Sequence, residues 1–160
     1  MILQHTKNNK LLAIFILLLA FLSAEGMTMD LIQFKIEGSE EGIRFILTNI
    51  SSENITVNKK FSIGPAGKRG NIELIFTDKI GNKHHLSAKI NYSQPQESDF
   101  ISLSPSSFVG KTVTIETLKS YYNLEQGEYE VEGLYKNNDG KESGAFIGSS
   151  NISKLTVKIN

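Results

Sequence analysis

An all-β fold is the prediction, and three observations lead to it. From residue 31 onward apolar residues recur with a period of two, which puts alternate side chains on one buried face of a strand. Clusters rich in Gly, Asn, Asp and Ser break these runs at short intervals, as reversing connections require. Only ETLKSYYN, Glu116 to Asn123, reads as helix, and it is barely two turns long.

The strands follow in order. LIQFKIE puts Ile32, Phe34 and Ile36 on one face, and GIRFILTN does the same with Ile43, Phe45 and Leu47. NITVNKKF offers Ile55, Val57 and Phe61, and NIELIFTD offers Ile72, Leu74 and Phe76. TDKIGNKHH predicts a hairpin with Gly81 and Asn82 at its tip. HLSAKINY then predicts a further strand through Leu86, Ala88, Ile90 and Tyr92, and KLTVKIN closes the chain with Leu155, Val157 and Ile159 inward. Eight or nine short antiparallel strands of this kind make a sandwich or barrel.

Before the strands lies MILQHTKNNKLLAIFILLLAFLSAEG. Lys7 and Lys10 precede an uncharged apolar run, residues 11–22, whose 12 residues fall short of the roughly 20 that span a bilayer. Ala24 and Gly26 then supply small residues at the −3 and −1 positions of a cleavage site, and cleavage after Ala24 fits nearly as well. This is the order of a secretory signal peptide. The expected division is therefore a signal peptide, 1–26, and one domain, 27–160, exported to the periplasm or beyond the cell and free of the membrane after cleavage. Lys, Asn and Ile richness points to a bacterium, where the sequons at Asn49, Asn54, Asn91 and Asn151 would be silent.

Composition narrows the function. The chain carries 17 basic and 17 acidic residues, an even balance that argues against nucleic acid. It has no cysteine, so an exported form is held by its core and not by disulfides.

NLEQGEYEV, residues 123–131, has the form of a tyrosine corner: Leu124, then Gly127, then Tyr129, whose hydroxyl reaches upstream backbone. Gly127 is expected to permit a tight approach. Tyr129, Val131 and Tyr135 then alternate inward against Glu128, Glu130 and Glu132, with Gly133 marking a bulge or a close sheet contact. The glutamate row is read as a solvated strand face.

Around this corner the sequence resembles the immunoglobulin-like N-terminal domain of secreted deuterolysin-type metallopeptidases. The residues that carry the likeness are Leu47, Thr48, Asn49 and Ser51, then Leu103, Pro105 and Ser107, then Tyr122, Leu124, Gly127, Tyr129 and Val131. Ser106 departs from the family, which prefers glycine there. The resemblance spans roughly residues 42–136 and implies an immunoglobulin-like antiparallel β-sandwich with Greek-key connections. Bacterial proteinase-inhibitor domains share a similar strand grammar. The peptidase half is missing, together with its H-E-x-x-H zinc helix.

No catalytic constellation, cofactor site or metal site is expected. His84 and His85 are adjacent, and neighbours on a strand point to opposite faces. GPAGKRG, residues 64–70, lacks the first glycine and the final Ser or Thr of a phosphate loop, since Ser62 and Arg69 stand there. There is no thiol and no G-x-S-x-G elbow. The expected function is binding of another protein, as a protease inhibitor or accessory domain. A structural subunit of a surface or secretion assembly is the alternative. The candidate contact residues are Lys68 and Arg69 in one loop and Asn137, Asp139 and Lys141 in another.

Overall fold

The computed structural model describes residues 31–65 and 70–160. The signal peptide expected at residues 1–26, and the pair Lys68 and Arg69, lie outside the described residues.

Nine strands and one short α-helix make the described chain all-β. β1 (Ile32–Gly38), β2 (Gly42–Asn49) and β7 (Phe108–Thr114) form one antiparallel sheet in the order β1-β2-β7. β4 (Ile72–Asp78), β5 (Lys83–His84), β8 (Gly127–Asn137) and β9 (Gly148–Ile159) form a second, in the order β5-β4-β8-β9. β3 (Ile55–Asn58) and β6 (Phe100–Leu103) pair as a small third sheet. The helix α1 (Ile115–Tyr122) joins β7 to β8.

The alternation predicted for the two main sheets is the one observed. Ile32, Phe34 and Ile36 on β1, Ile43, Phe45 and Leu47 on β2, and Ile72, Leu74 and Phe76 on β4 are all buried in a shared core. Gly133 explains how closely the sheets approach. A Cβ there would stand 3.0 Å from Ile36 Cγ2 and 3.2 Å from Phe34 Cε1, so the facing sheet fills the space of the missing side chain.

α1 begins where Thr114 accepts a hydrogen bond from the Thr117 amide, and it ends at Asn123 in the left-handed conformation that asparagine tolerates. Its buried face carries Leu118 and Tyr122, and the Tyr122 ring lies 4.8 Å from that of Phe76. Burial pushes the Tyr122 hydroxyl well above the ordinary phenol range. The hairpin predicted at Gly81 is present, with Gly81 at φ +89° and the Asp78 carboxylate accepting from the Ile80 and Asn82 amides.

The strand expected over HLSAKINY is a correction. Only Lys83 and His84 join β4; the chain then continues without a ladder. The amides of Ser87 and Ala88 donate instead to the Tyr121 carbonyl at the end of α1, which draws the segment off the edge of β4. Its alternate burial survives, since His84, Leu86, Ala88, Ile90 and Tyr92 are each half-buried between exposed neighbours. The burial pattern was legible; the partner was not.

One side of the sandwich is closed by side chains. Between Leu134 and Lys136 on β8 the register slips by one residue, so β9 carries an extra residue facing them. The Tyr135 amide there bonds to Ser150 Oγ instead of a backbone carbonyl. Such a bulge re-aims side chains. Asn151 points at the edge of β1: its Oδ1 accepts from the Phe34 amide at 2.8 Å and its Nδ2 donates to the Phe34 carbonyl at 2.9 Å. Ser153 Oγ accepts from the Ile36 amide at 3.0 Å. The Asn151 amide thus takes the place of a neighbouring strand's backbone along β1.

Two expectations follow. Asn151→Ala should lower stability by about 1–3 kcal/mol, the range for leaving a backbone donor unpaired, and should speed hydrogen exchange at the Phe34 amide. Gly133→Val should cost about 1–3 kcal/mol through overpacking. Urea titration read by fluorescence checks both, with amide exchange localising the first.

Candidate functional site

The end of the sandwich that holds the loops is organised around three buried asparagines, Asn58, Asn71 and Asn137. Asn137 Oδ1 accepts from Asn71 Nδ2 at 3.3 Å and Asn58 Nδ2 at 3.4 Å, while its Nδ2 donates to the carbonyls of Asp139 and Phe146 at 2.8 Å. Tyr135 adds a hydroxyl bond to the Asn58 carbonyl at 3.1 Å, and burial pushes that phenol well above its ordinary range. One amide therefore ties the ends of β3, β4 and β8 and the connection to β9. Buried amides satisfied this completely specify one arrangement of loops, because each unpaired group would cost about 1–3 kcal/mol.

Above this network lies a cleft of about 580 Å³, lined largely by amides and hydroxyls, including Ser62, Asn91, Gln94 and Asn138. Gly70 and Asp139 also line it, so the two loops singled out in the sequence meet at its rim. Lys60 is held there: its ammonium donates to the Ser93 carbonyl and hydroxyl and to the Gln94 carbonyl, with Asp99 3.6 Å away. It anchors residues 93–94 and has no donor to spare.

The sequence-predicted contact residues separate. Asp139 and Lys141 are exposed. Asn137 is a correction: it is fully buried and its amide is spent on the network, because the inward parity of Tyr129, Val131 and Tyr135 continues to residue 137. That parity was the signal available in the sequence. Asn58 and Asn71, which the sequence reading did not mark, show only as polar residues beside strand ends.

The tyrosine hydroxyl behaves as a corner requires. Tyr129 Oη donates to the Glu125 carbonyl at 3.1 Å, and Leu124 is buried beside it. Gly127 has no special backbone role. Its φ is not positive, and a Cβ would sit 3.5 Å from Tyr129 Cε2, an ordinary contact. Two of the segments that carry the resemblance, residues 47–51 and 103–107, lie together. Asn49 is buried, with Nδ2 donating to the Glu53 and Leu103 carbonyls at 2.7 and 2.8 Å, and Oδ1 accepting from the Ser51 amide and hydroxyl. Ser106, at the position where the family prefers glycine, has φ +64°.

His84 packs edge-on to Tyr129 with ring centroids 5.5 Å apart, and its Nε2 lies 3.7 Å from Asp78 Oδ2; His85 is exposed. Glu128 pairs with Lys79, and Glu130 and Glu132 share Lys154. The hydrogen bond and charge of Lys154 hold the Glu132 carboxyl below the usual carboxylate range. The row is a paired strand face.

Among known proteins, no family model and no curated protein matches this sequence.

Tyr129→Phe should cost about 1 kcal/mol, the net worth of one hydrogen bond, whereas Gly127→Ala should stay within about 0.5 kcal/mol; chemical denaturation separates the two. A pH dependence follows from Asp78. Partial desolvation raises its pKa, but bonds from the Asn82 backbone and side chain and the Ile80 amide outweigh this and hold it below the usual value. A depressed folded-state pKa stabilises above the unfolded value of about 3.9 and is lost as pH falls through the folded value. The urea midpoint of wild type should therefore drop more steeply on acidification below about pH 4 than that of Asp78→Ala.

Proposed function

We propose that this chain is an exported, immunoglobulin-like Greek-key β-sandwich that acts by binding another protein, as a protease inhibitor or accessory domain. The observation that carries the reading is the loop end. Buried amides hold residues 58, 71 and 137 rigidly, and above them the connections after β3 and β8 frame a wide cleft with Asp139 and Lys141 exposed beside it. Recognition on a sandwich is carried by connections displayed from a rigid frame. The frame here is built for that display, since its polar groups are turned inward to set loop positions.

The family likeness supports the immunoglobulin-like fold in this reading. Asn49 physically joins the first likeness segment to Leu103 and Ser107, the latter through its own amide at 3.0 Å. Two long-separated sequence segments of the likeness thus meet at one buried asparagine. The charged n-region and apolar run at the start support export.

Expression in a bacterial host followed by N-terminal sequencing of exported protein should give Glu25 or Met27 as the first residue; intact Met1 on a membrane-bound product would contradict export. The purified exported form should show no turnover against peptidase, esterase and glycosidase substrates. It should crosslink to a defined partner in the host's exported fraction, with contacts at Asp139 and Lys141 mapped by mass spectrometry. Turnover that survives repurification would overturn the binding reading.

A further inference from the structure

The side of the sandwich opposite the Asn151 contact is open. β7 is hydrogen-bonded to β2 on one edge and, among the described residues, to no strand on the other. The remaining edges are managed differently. β1 is closed by Asn151 and Ser153, and β3 by its bridge to Ala145 and the bond from the Phe146 amide. β5 is two residues long and β6 four, while the second half of β9 presents Lys154 and Lys158. Short strands and lysines are ordinary protection against unwanted pairing. β7 spans seven residues, and its one lysine, Lys111, folds back to donate to the Lys60 carbonyl at 3.2 Å.

Beside the open edge runs a groove of about 340 Å³. Lys111 to Thr114 form one wall, and residues 60–63 with residues 90–93 form the other. Ile90 and Tyr92 belong to the stretch that alternates in burial like a strand but lies outside the described strands. Tyr92 pins this stretch through its hydroxyl to the Ile63 carbonyl at 2.9 Å, and Lys60 holds Ser93. The groove thus lies between an unpaired strand edge and an extended, tethered segment. Its lining contains two lysines and no carboxylate. The donors of Lys60 are engaged, with Asp99 nearby, whereas Lys111 makes a single bond and keeps two N–H groups.

We propose that an extended, acidic segment of a partner protein adds to the edge of β7 within this groove. The segment's backbone pairs with the β7 groups that point away from β2, its apolar side chains face Val113 and Ile90, and a carboxylate meets Lys111. This rests on the binding reading above and moves the principal contact from the loop end to a strand edge. Main-chain pairing supplies the affinity in this mode, and alternate side chains supply the selectivity. The even charge of the chain leaves local complementarity, here at Lys111, to choose between segments.

Two synthetic eight-residue peptides test it, both alternating Thr with Val, one with two Thr replaced by Glu and the other by Lys. Each is titrated into the ¹⁵N-labelled protein while amide shifts and exchange rates are followed. The acidic peptide should shift and protect β7 amides together with residues 90–93 and bind at least ten-fold more tightly than the basic one. Lys111→Glu should reverse that preference, and Lys111→Gln, which keeps a neutral chain of similar length, should abolish it. No binding, equal binding of both peptides, or shifts confined to residues 137–144 would overturn the proposal. So would protection, in the free protein, of the β7 amides that point away from β2, since residues 86–92 or a second copy would then cover the edge. A captured partner that binds Lys111→Glu as well as wild type would leave the binding reading standing and remove this one.

Discussion

A single side-chain amide decides how this sandwich closes. Sheets with free edges invite pairing with other chains, and β1 would be such an edge. Asn151 removes that hazard by accepting from the Phe34 amide and donating to its carbonyl. Those residues are 117 positions apart, so the contact is set by tertiary structure and not by local sequence. The slip in β9 is what turns Asn151 toward β1, and Ser150 fills the vacated ladder position with its hydroxyl. Gly133 belongs to the same arrangement, because its missing side chain lets β8 approach Phe34 and Ile36 on the strand that Asn151 secures.

The strand ends depend on a parallel device. Four buried asparagines, 49, 58, 71 and 137, act where backbone ladders stop. Strand ends leave carbonyls and amides without partners, and these side chains meet them from inside the core. Asn49 satisfies Glu53 and Leu103, and Asn137 satisfies Asp139 and Phe146. A strained residue sits in the same region: Phe61 has φ +48° with its ring buried edge-on to Tyr135. A bulky residue in that conformation persists because its surroundings hold it.

Much of the fold was legible in the sequence because alternation is local. Whether Phe34 or Lys35 faces inward is set by the pleat, and the same parity extended to residue 137 marks Asn137 as interior. The capped helix and the turn at Asp78 to Asn82 are equally local, resting on Thr114, Asn123 and Gly81. The candidate site was less legible. Loops of polar residues look alike in sequence whether their side chains face solvent, as at Asp139, or the core, as at Asn137.

Parity, turn chemistry and the two-turn helix were therefore determined by the sequence alone, since each depends on residues within a few positions of one another. Which strand would pair with which edge was decided only by the tertiary structure. The stretch from Leu86 to Tyr92 has the pattern of a strand yet gains no ladder, because the Tyr121 carbonyl competes for its amides. Asn151 reads as one exposed polar residue among many yet closes a sheet, because folding brings it to β1. Backbone hydrogen bonds are indifferent to side-chain identity, so the choice among partners falls to whichever groups the completed fold brings within reach.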